Sequence, residues 1–353
     1  MCERCGTFYK HFSRRSFLRG GAMAAGASLA LPPAIAALLD PSIAAAAAPM
    51  TVKATHGTGF CNLGFFLAKE RGLAKADGVD IDFVVTPSNA DIATLFGAGI
   101  VDMSMIPYSN FMTLYDAGAP VRIVAGGGVE GCVIVAREGI KTAADLKGKT
   151  FGTFQADTLE VLPYDWLKKH GLSFKDVDVR YMNTSPELAQ AFMTGAIDAI
   201  CHIEPYATQT VQATKGASVL SDGTDVYGKG YSDCVLAVRT PLLEKNPEVV
   251  RAVIKAMFTA QKQSETDREG AIKDLVGSYF KTSLEAALDA SRKQPVMVDQ
   301  RNQTDFIIAR GQTMKELGYV KTLPDRKAFD WAPLERVIAE NKDLYASLKL
   351  KSA

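Results

Sequence analysis

Asp91–Asn110, DIATLFGAGIVDMSMIPYSN, and Glu187–Tyr206, ELAQAFMTGAIDAICHIEPY, are two versions of one pattern set 96 residues apart. Ala93 corresponds to Ala189, Phe96 to Phe192, Gly99 to Gly195 and Asp102 to Asp198. In each copy a run with helical spacing ends at a Gly, an acidic residue follows, and a short apolar strand runs into Pro and polar residues. Similarity at a fixed interval implies two lobes of like construction. A second echo brackets the second copy: GCVIVAR from Gly131 and DCVLAVR from Asp233 are both apolar strands ending in Arg. If both connect the lobes, lobe one comprises residues 50–137 and 235–353, and lobe two comprises 138–234.

The flanking sequence continues the alternation. MTVKATHG from Met50 reads as a strand, CNLGFFLAKERGLA as a helix, VDIDFVVTP as a strand, NADIATLFGAG as a helix, VDMSMIPY as a short buried strand and SNFMTLYDAG as a helix. Strands separated by helices predict an α/β fold with a parallel sheet in each lobe and right-handed crossovers. The last 110 or so residues carry amphipathic helical patterns, including PEVVRAVIKAMFTAQKQSE and NQTDFIIARGQTMKELG, that read as packing on lobe one.

Composition narrows the function. The 353 residues hold 40 Lys plus Arg against 39 Asp plus Glu, with no basic run to serve nucleic acid and no evenly repeated apolar spans. The first 48 residues differ from the rest: Arg14 and Arg15 in SRRSFLRG precede an Ala/Leu/Gly-rich stretch and the run AAAAA. That order reads as a twin-arginine signal peptide for export to the periplasm, and Pro32, Pro33 and Pro41 argue against a membrane span. Its removal leaves 35 basic and 37 acidic residues, net −2, and four cysteines: Cys61, Cys132, Cys201 and Cys234.

With GAGIVDMSMIPYSNFMTLYDAGAPVRIVAGG, DLKGKTFG from Asp145 and TGAIDAICHIEPYA from Thr194 in this order, the chain resembles periplasmic substrate-binding proteins of ABC transporters. The similar group takes nitrate, taurine, alkanesulfonates and a thiamine-pyrimidine precursor. The resemblance spans about residues 50–345. It implies a two-lobed periplasmic-binding-protein fold of type II, two hinge strands, a ligand cleft between the lobes, a membrane permease as partner, and a monomer with no cofactor and no metal.

Ligands of open α/β sheets bind beyond the carboxyl ends of strands. That rule nominates Thr58, Phe60, Cys61 and Asn62 after the first strand, Ser88 and Asn89 after the second, and Tyr108, Ser109 and Asn110 after the third. In lobe two it nominates the loop from Thr153 to Thr158, with Gln155 and Asp157, then Thr184 and Ser185, then His202 to Tyr206 with Glu204, and Ser232 and Asp233 near the hinge. Capping competes for several: Ser88, Asn89, Asp157 and Ser185 are good N-cap types. Glu204 with Pro205 matches an acidic-Pro pair of the resembling families. These loops carry Glu204, Asp157 and Asp233 but no Lys or Arg, which favours a neutral or cationic nitrogen-bearing ligand, with its planar part against Phe60 and Tyr108. A small oxyanion held by helix N-termini is the alternative.

The cysteines leave three readings open: buried packing thiols, a Cys132–Cys234 disulfide, or a soft-metal site using Cys61, Cys201, His202 and His56. Catalysis has little support. The chain lacks the CCCFC segment of related pyrimidine-synthesising enzymes, and it has no G-x-S-x-G, H-E-x-x-H or Walker A motif. A sensor that presents ligand to a membrane kinase would use the same cleft.

Overall fold

The computed structural model describes residues 49–86 and 89–352, so the twin-arginine segment expected at 1–48 and the nominated Ser88 lie outside the described residues. The β-strands are β1 (Met50–His56), β2 (Val79–Phe83), β3 (Met103–Pro107), β4 (Val121–Gly126), β5 (Cys132–Ala136), β6 (Thr150–Thr153), β7 (Asp178–Tyr181), β8 (Ala199–Ile203), β9 (Ser218–Ser221) and β10 (Cys234–Arg239). They form two five-stranded sheets, ordered β2-β1-β3-β10-β4 and β7-β6-β8-β5-β9. The two orders are equivalent position by position, which is the internal repeat seen in three dimensions. The central strands β3, β5, β8 and β10 are nearly or wholly buried, as strands covered by helices on both faces must be.

Two expectations change. The sheets are mixed, because β10 runs antiparallel to both β3 and β4, and β5 runs antiparallel to both β8 and β9. The sequence boundary at 137/138 also put Cys132–Ala136 in lobe one, whereas β5 belongs to the second sheet. The place beside β3 is taken by β10: the chain crosses to the second sheet after β4, builds that sheet from β5–β9, and returns to complete the first with β10. The crossing segments therefore lie on the amino side of these strands. They run side by side: Glu130 N–H donates to Tyr231 O (2.9 Å), Gly127 N–H to Cys234 O (2.9 Å), and Val129 bridges Ser232. Gly131 sits at φ 85°, and a Cβ there would run into the Gln294 side chain.

The repeat's glycines and arginines have matching duties. Gly99 and Gly195 end their helices at φ 75° and 87°. Arg137, closing β5, donates to Phe192 O at the end of the helix Ser185–Met193 (2.5 Å), and Arg239, closing β10, packs over Gly99. The Pro247–Thr266 helix buries Val249, Val250, Val253, Ile254, Met257 and Phe258 on one face, against the core of the first sheet.

The C-terminal helices do more than cover lobe one. Thr304–Glu316 also packs on the lobe-two helix Thr158–Lys169, where Asp165 accepts from Arg310, from Thr313 Oγ1 (2.8 Å) and from Tyr227 OH (2.8 Å), and Lys168 pairs with Glu316 (2.7 Å). From another element, Lys293 Nζ donates to Thr208 Oγ1 (2.8 Å). Across the cleft, Thr58 Oγ1 bonds Ser185 Oγ (2.8 Å), Phe60 N–H donates to Glu204 O (2.8 Å), and Asn110 Nδ2 donates to Ala156 O (2.9 Å). These contacts define a closed arrangement of the lobes.

Gly59 offers a test of closure. Its backbone is extended (φ −82°, ψ 167°), so any residue can adopt it, but a Cβ would stand 2.5 Å from Ile203 Cγ1 on the other lobe. Gly59→Val should therefore clash only when the lobes are shut. Small-angle scattering should give the variant a larger radius of gyration than the wild type in the presence of ligand, with little loss of melting temperature. An unchanged radius would mean that Gly59 and Ile203 do not meet on closure.

Candidate ligand-binding cleft

Between the lobes lies a small cavity of about 30 Å³. From the first sheet's side, Gly57, Thr58, Gly59, Cys61 and Asn62 line it after β1, Pro107 and Asn110 after β3, and Asp233 and Cys234 at the start of β10. From the second come Phe154, Asp157, Thr158 and Leu159 after β6, then Ser185 and Ile203. Its lining is a few polar groups on an apolar wall, as small-molecule clefts usually are.

Of the nominated residues, the structure gathers Thr58, Cys61, Asn62, Asn110, Phe154, Asp157, Thr158, Ser185 and Asp233 at this cavity. The others serve elsewhere. Phe60 is fully buried, edge-on to Phe280 with ring centroids 4.4 Å apart, and reaches the cleft only through its N–H. Tyr108 is buried against Phe306, so neither aromatic forms the ligand platform expected of it. The apolar wall is supplied instead by Ile92, Phe154, Leu159 and Ile203. Ser109 is buried away from the cavity lining, Thr153 Oγ1 donates to Leu159 O (2.6 Å), and Gln155 is exposed. Asn89 begins the helix Asn89–Gly97.

His202 is a structural histidine. Its Nδ1 accepts from Ile203 N–H (2.8 Å), which leaves Nε2–H to donate to Ser185 O (3.0 Å), and its ring stacks on Tyr206. Burial lowers its pKa to about 4, so the ring is neutral. Glu204, the position matched to the family, turns its carboxylate to the helix Tyr206–Ala213: Thr208 donates through N–H (3.0 Å) and Oγ1 (2.9 Å). It borders a separate cavity with Asp289, Arg292 and Lys293. Burial raises its pKa to about 7, opposed by the Thr208 bonds and by Lys293.

Asp157 is both a cap and part of the cavity wall. Its Oδ1 accepts from Leu159 N–H (3.1 Å) at the start of Thr158–Lys169, yet the side chain is buried. Burial raises its pKa to about 7 despite that bond. Thr158 Oγ1 lies 2.7 Å from Asp233 Oδ1 and 3.2 Å from Asp157 Oδ1, so one hydroxyl proton sits between two carboxyls.

Asp233 is the centre of the site. At 1% exposure it accepts from Thr158 Oγ1 (2.7 Å), Gln294 Nε2 (2.9 Å), Cys132 Sγ (3.4 Å) and Cys234 Sγ (3.4 Å). All four donors are neutral, and among the described cavity-lining residues none is Lys, Arg or His. Burial accordingly raises its pKa, with the hydrogen bonds opposing. Cys234 entered the site without a ligand-loop nomination. Gln294 could not be read from the sequence at all, because it arrives from a C-terminal loop with no local signal.

All four cysteines are free and buried. The soft-metal set Cys61, Cys201, His202 and His56 is not assembled: His56 packs edge-on against Phe66 and Phe83, with Nδ1 on Gly57 O (2.7 Å), and both His202 nitrogens are engaged. Burial pushes the Cys61 thiol up to about 12, and raises Cys132, Cys201 and Cys234 as well.

Two lobes closing on a cavity, each with a mixed five-stranded sheet of the same strand order and joined by two crossing segments, define a two-lobed periplasmic-binding-protein fold. The chain belongs to the NMT1/THI5-like family, whose model matches residues 61–264. It is 26% identical over 215 residues to a binding protein of Brucella abortus, an alignment covering 61% of this chain and 66% of that one, just short of two thirds of the relative's length. It is 28% identical over 251 residues to an Escherichia coli protein named for binding aliphatic sulfonates, covering 68% and 76%. It is also 28% identical over 247 residues to the Saccharomyces cerevisiae 4-amino-5-hydroxymethyl-2-methylpyrimidine phosphate synthase THI13, covering 66% and 71%. Among solved structures, the E. coli periplasmic aliphatic sulphonate binding protein SsuA shares the fold with a TM-score of 0.68 at 24% identity, covering 81% of this chain and 93% of SsuA.

The buried carboxyl of Asp157 makes a stability prediction. A carboxyl near 3.8 in the unfolded chain and near 7 in the folded one is neutral in both states at low pH. As pH rises from 4 to 7 the unfolded state ionises first, so this group's contribution falls across that window, by about 4 kcal/mol at most. Asp157→Asn keeps the cap acceptor and removes the charge. Its melting temperature should match the wild type at pH 4 and exceed it at pH 8; equal curves at both pH values would show that Asp157 is not held neutral.

Proposed function

We propose that the protein is the periplasmic solute-binding component of an ABC importer, and that it closes over a small cationic or neutral nitrogen-bearing solute and delivers it to a membrane permease. Family membership and the binding-protein relatives support the first part, and the signal-like N-terminus fits export by the twin-arginine route. The charge of the cleft supports the second. Asp233 carries the reading: a carboxyl sealed between two lobes, ringed by neutral donors, is better satisfied by a ligand that brings positive charge or N–H donors than by one that brings negative charge.

The oxyanion alternative, drawn from the sulfonate-named relatives, meets a specific obstacle here. An anion would use the N-terminus of Thr158–Lys169, but the Asp157 carboxyl already occupies Leu159 N–H and faces the cavity. Catalysis is disfavoured by the same geometry. The thiols are held protonated by burial, and neither His56 nor His202 is placed to activate one.

A thermal-shift screen tests the ligand class, since a ligand at 100 times its dissociation constant adds about 2.7 kcal/mol. Amines, amidines or pyrimidines should raise the melting temperature, whereas sulfonates, nitrate and bicarbonate should not. The opposite pattern overturns the reading. Asp233→Asn should weaken a bound cation by roughly tenfold or more, while Glu204→Gln, whose carboxylate faces Thr208, should change its affinity by less than about threefold.

A further inference from the structure

The cavity contains a donor set that charge alone does not use. Cys61 comes from the turn after β1, and Asp233 and Cys234 open β10; their sulfurs and a carboxylate oxygen all lie within 4.8 Å of one another. All three residues are at most 3% exposed, and all three line the cavity. Asn62 adds an independent sign. It is fully buried at the same cavity, its Nδ2 lies 3.2 Å from Cys61 Sγ, and its Oδ1 has no hydrogen-bond partner among the described residues. A buried amide oxygen without a donor is costly, and a cation at the cavity would satisfy it.

The donor types select the cation. Calcium and magnesium need six or more oxygen ligands, which this trio cannot supply. Two sulfurs with one carboxylate oxygen match a borderline-soft d-block ion that accepts four ligands in a tetrahedron. A monovalent organic cation would engage the carboxylate but gain little from sulfur. A divalent metal offsets the carboxylate and draws both thiols into bonding as thiolates.

We propose that Cys61, Asp233 and Cys234 form a three-ligand site for a divalent transition-metal cation of the zinc type within the same closed cleft. The inference rests on the reading of the cleft as a solute site and names the class of cation it takes. Binding exchanges two S–H bonds for two metal–sulfur bonds and releases both protons to solvent, with no change of oxidation state. Asn62, which lines the same cavity with its Oδ1 unpartnered, is the amide available for the fourth position. Cys132 lies outside the trio, with its thiol turned to Asp233 Oδ1 (3.4 Å) and Thr158 Oγ1 (3.7 Å), and Cys201 is buried within β8.

Titration of the reduced, desalted protein with Co²⁺ and then Zn²⁺, without oxygen, tests the site. One Co²⁺ per chain should bind with thiolate-to-cobalt charge-transfer absorption, and stoichiometric Zn²⁺ should abolish that signal. Cys61→Ser and Cys234→Ser should each remove the absorption and weaken Zn²⁺ by about 100-fold or more, while Cys201→Ser, equally buried but outside the cavity lining, should keep both and serve as the control for folding. Absence of charge-transfer absorption in the wild type, or Zn²⁺ affinity unchanged in Cys61→Ser, overturns the metal site. If amines or pyrimidines stabilise the protein while Zn²⁺ does not, the metal inference fails and the cation-or-nitrogen reading of the cleft stands. If oxyanions alone stabilise it, that reading fails too.

Discussion

A carboxylate shut away from water without a positive partner is the constraint from which the site follows. Asp233 sits where the chain returns from the second sheet to the first, and hydroxyl, amide and thiol donors from four different segments converge on it. Neutral donors soften the cost of a buried charge but do not cancel it, which is why burial outweighs the hydrogen bonds and raises the carboxyl's pKa. Asp157 repeats the arrangement from the facing lobe, and the Thr158 hydroxyl between them can donate to only one carboxyl at a time. Among the described lining residues the closed cleft therefore carries two acids and no basic side chain, and on the proposed reading a cation would favour the shut form.

The double crossing explains why the acids stand there. Because β5 and β10 are the first strands after the two crossings, the residues at their amino ends, Cys132 and Asp233–Cys234, lie at the two crossing segments and between the lobes. The contacts of Thr58, Phe60 and Asn110 across the cleft hold the shut position.

Much of this was legible in the sequence, for identifiable reasons. The repeat at Asp91 and Glu187 exposed the two lobes because Gly99 and Gly195 both need positive φ, and the strands after them are both buried. The Arg-ended echoes marked β5 and β10, but apolar runs do not reveal which sheet they join, because both slots are equally buried. Loop positions that face the cleft through side chains, such as Thr58, Asn62, Asn110 and Asp157, were found by the strand-end rule. That rule failed for Phe60, Tyr108 and Glu204, because it locates a backbone and not the direction of a side chain, and each of these turns back into its own lobe. Gln294 was invisible for the opposite reason: its role depends on a contact with Asp233, 61 residues away along the chain.

Relatives of this family with a shared fold need not share a ligand, since the fold supplies two lobes and a hinge while a handful of side chains set the charge of what is enclosed. In this chain the helix N-terminus best placed to hold an anion is capped by its own acid, and the strand entering the cleft from the hinge presents a carboxylate and a thiol side by side. Either feature alone would be unremarkable, since Asp is a common cap and buried Cys a common packing residue. Brought together at one cavity, they are what the proposed preference for a cation over an oxyanion rests on. The specificity of the protein is then a property of a few groups converging from segments remote in sequence, carried by a scaffold that is indifferent to them.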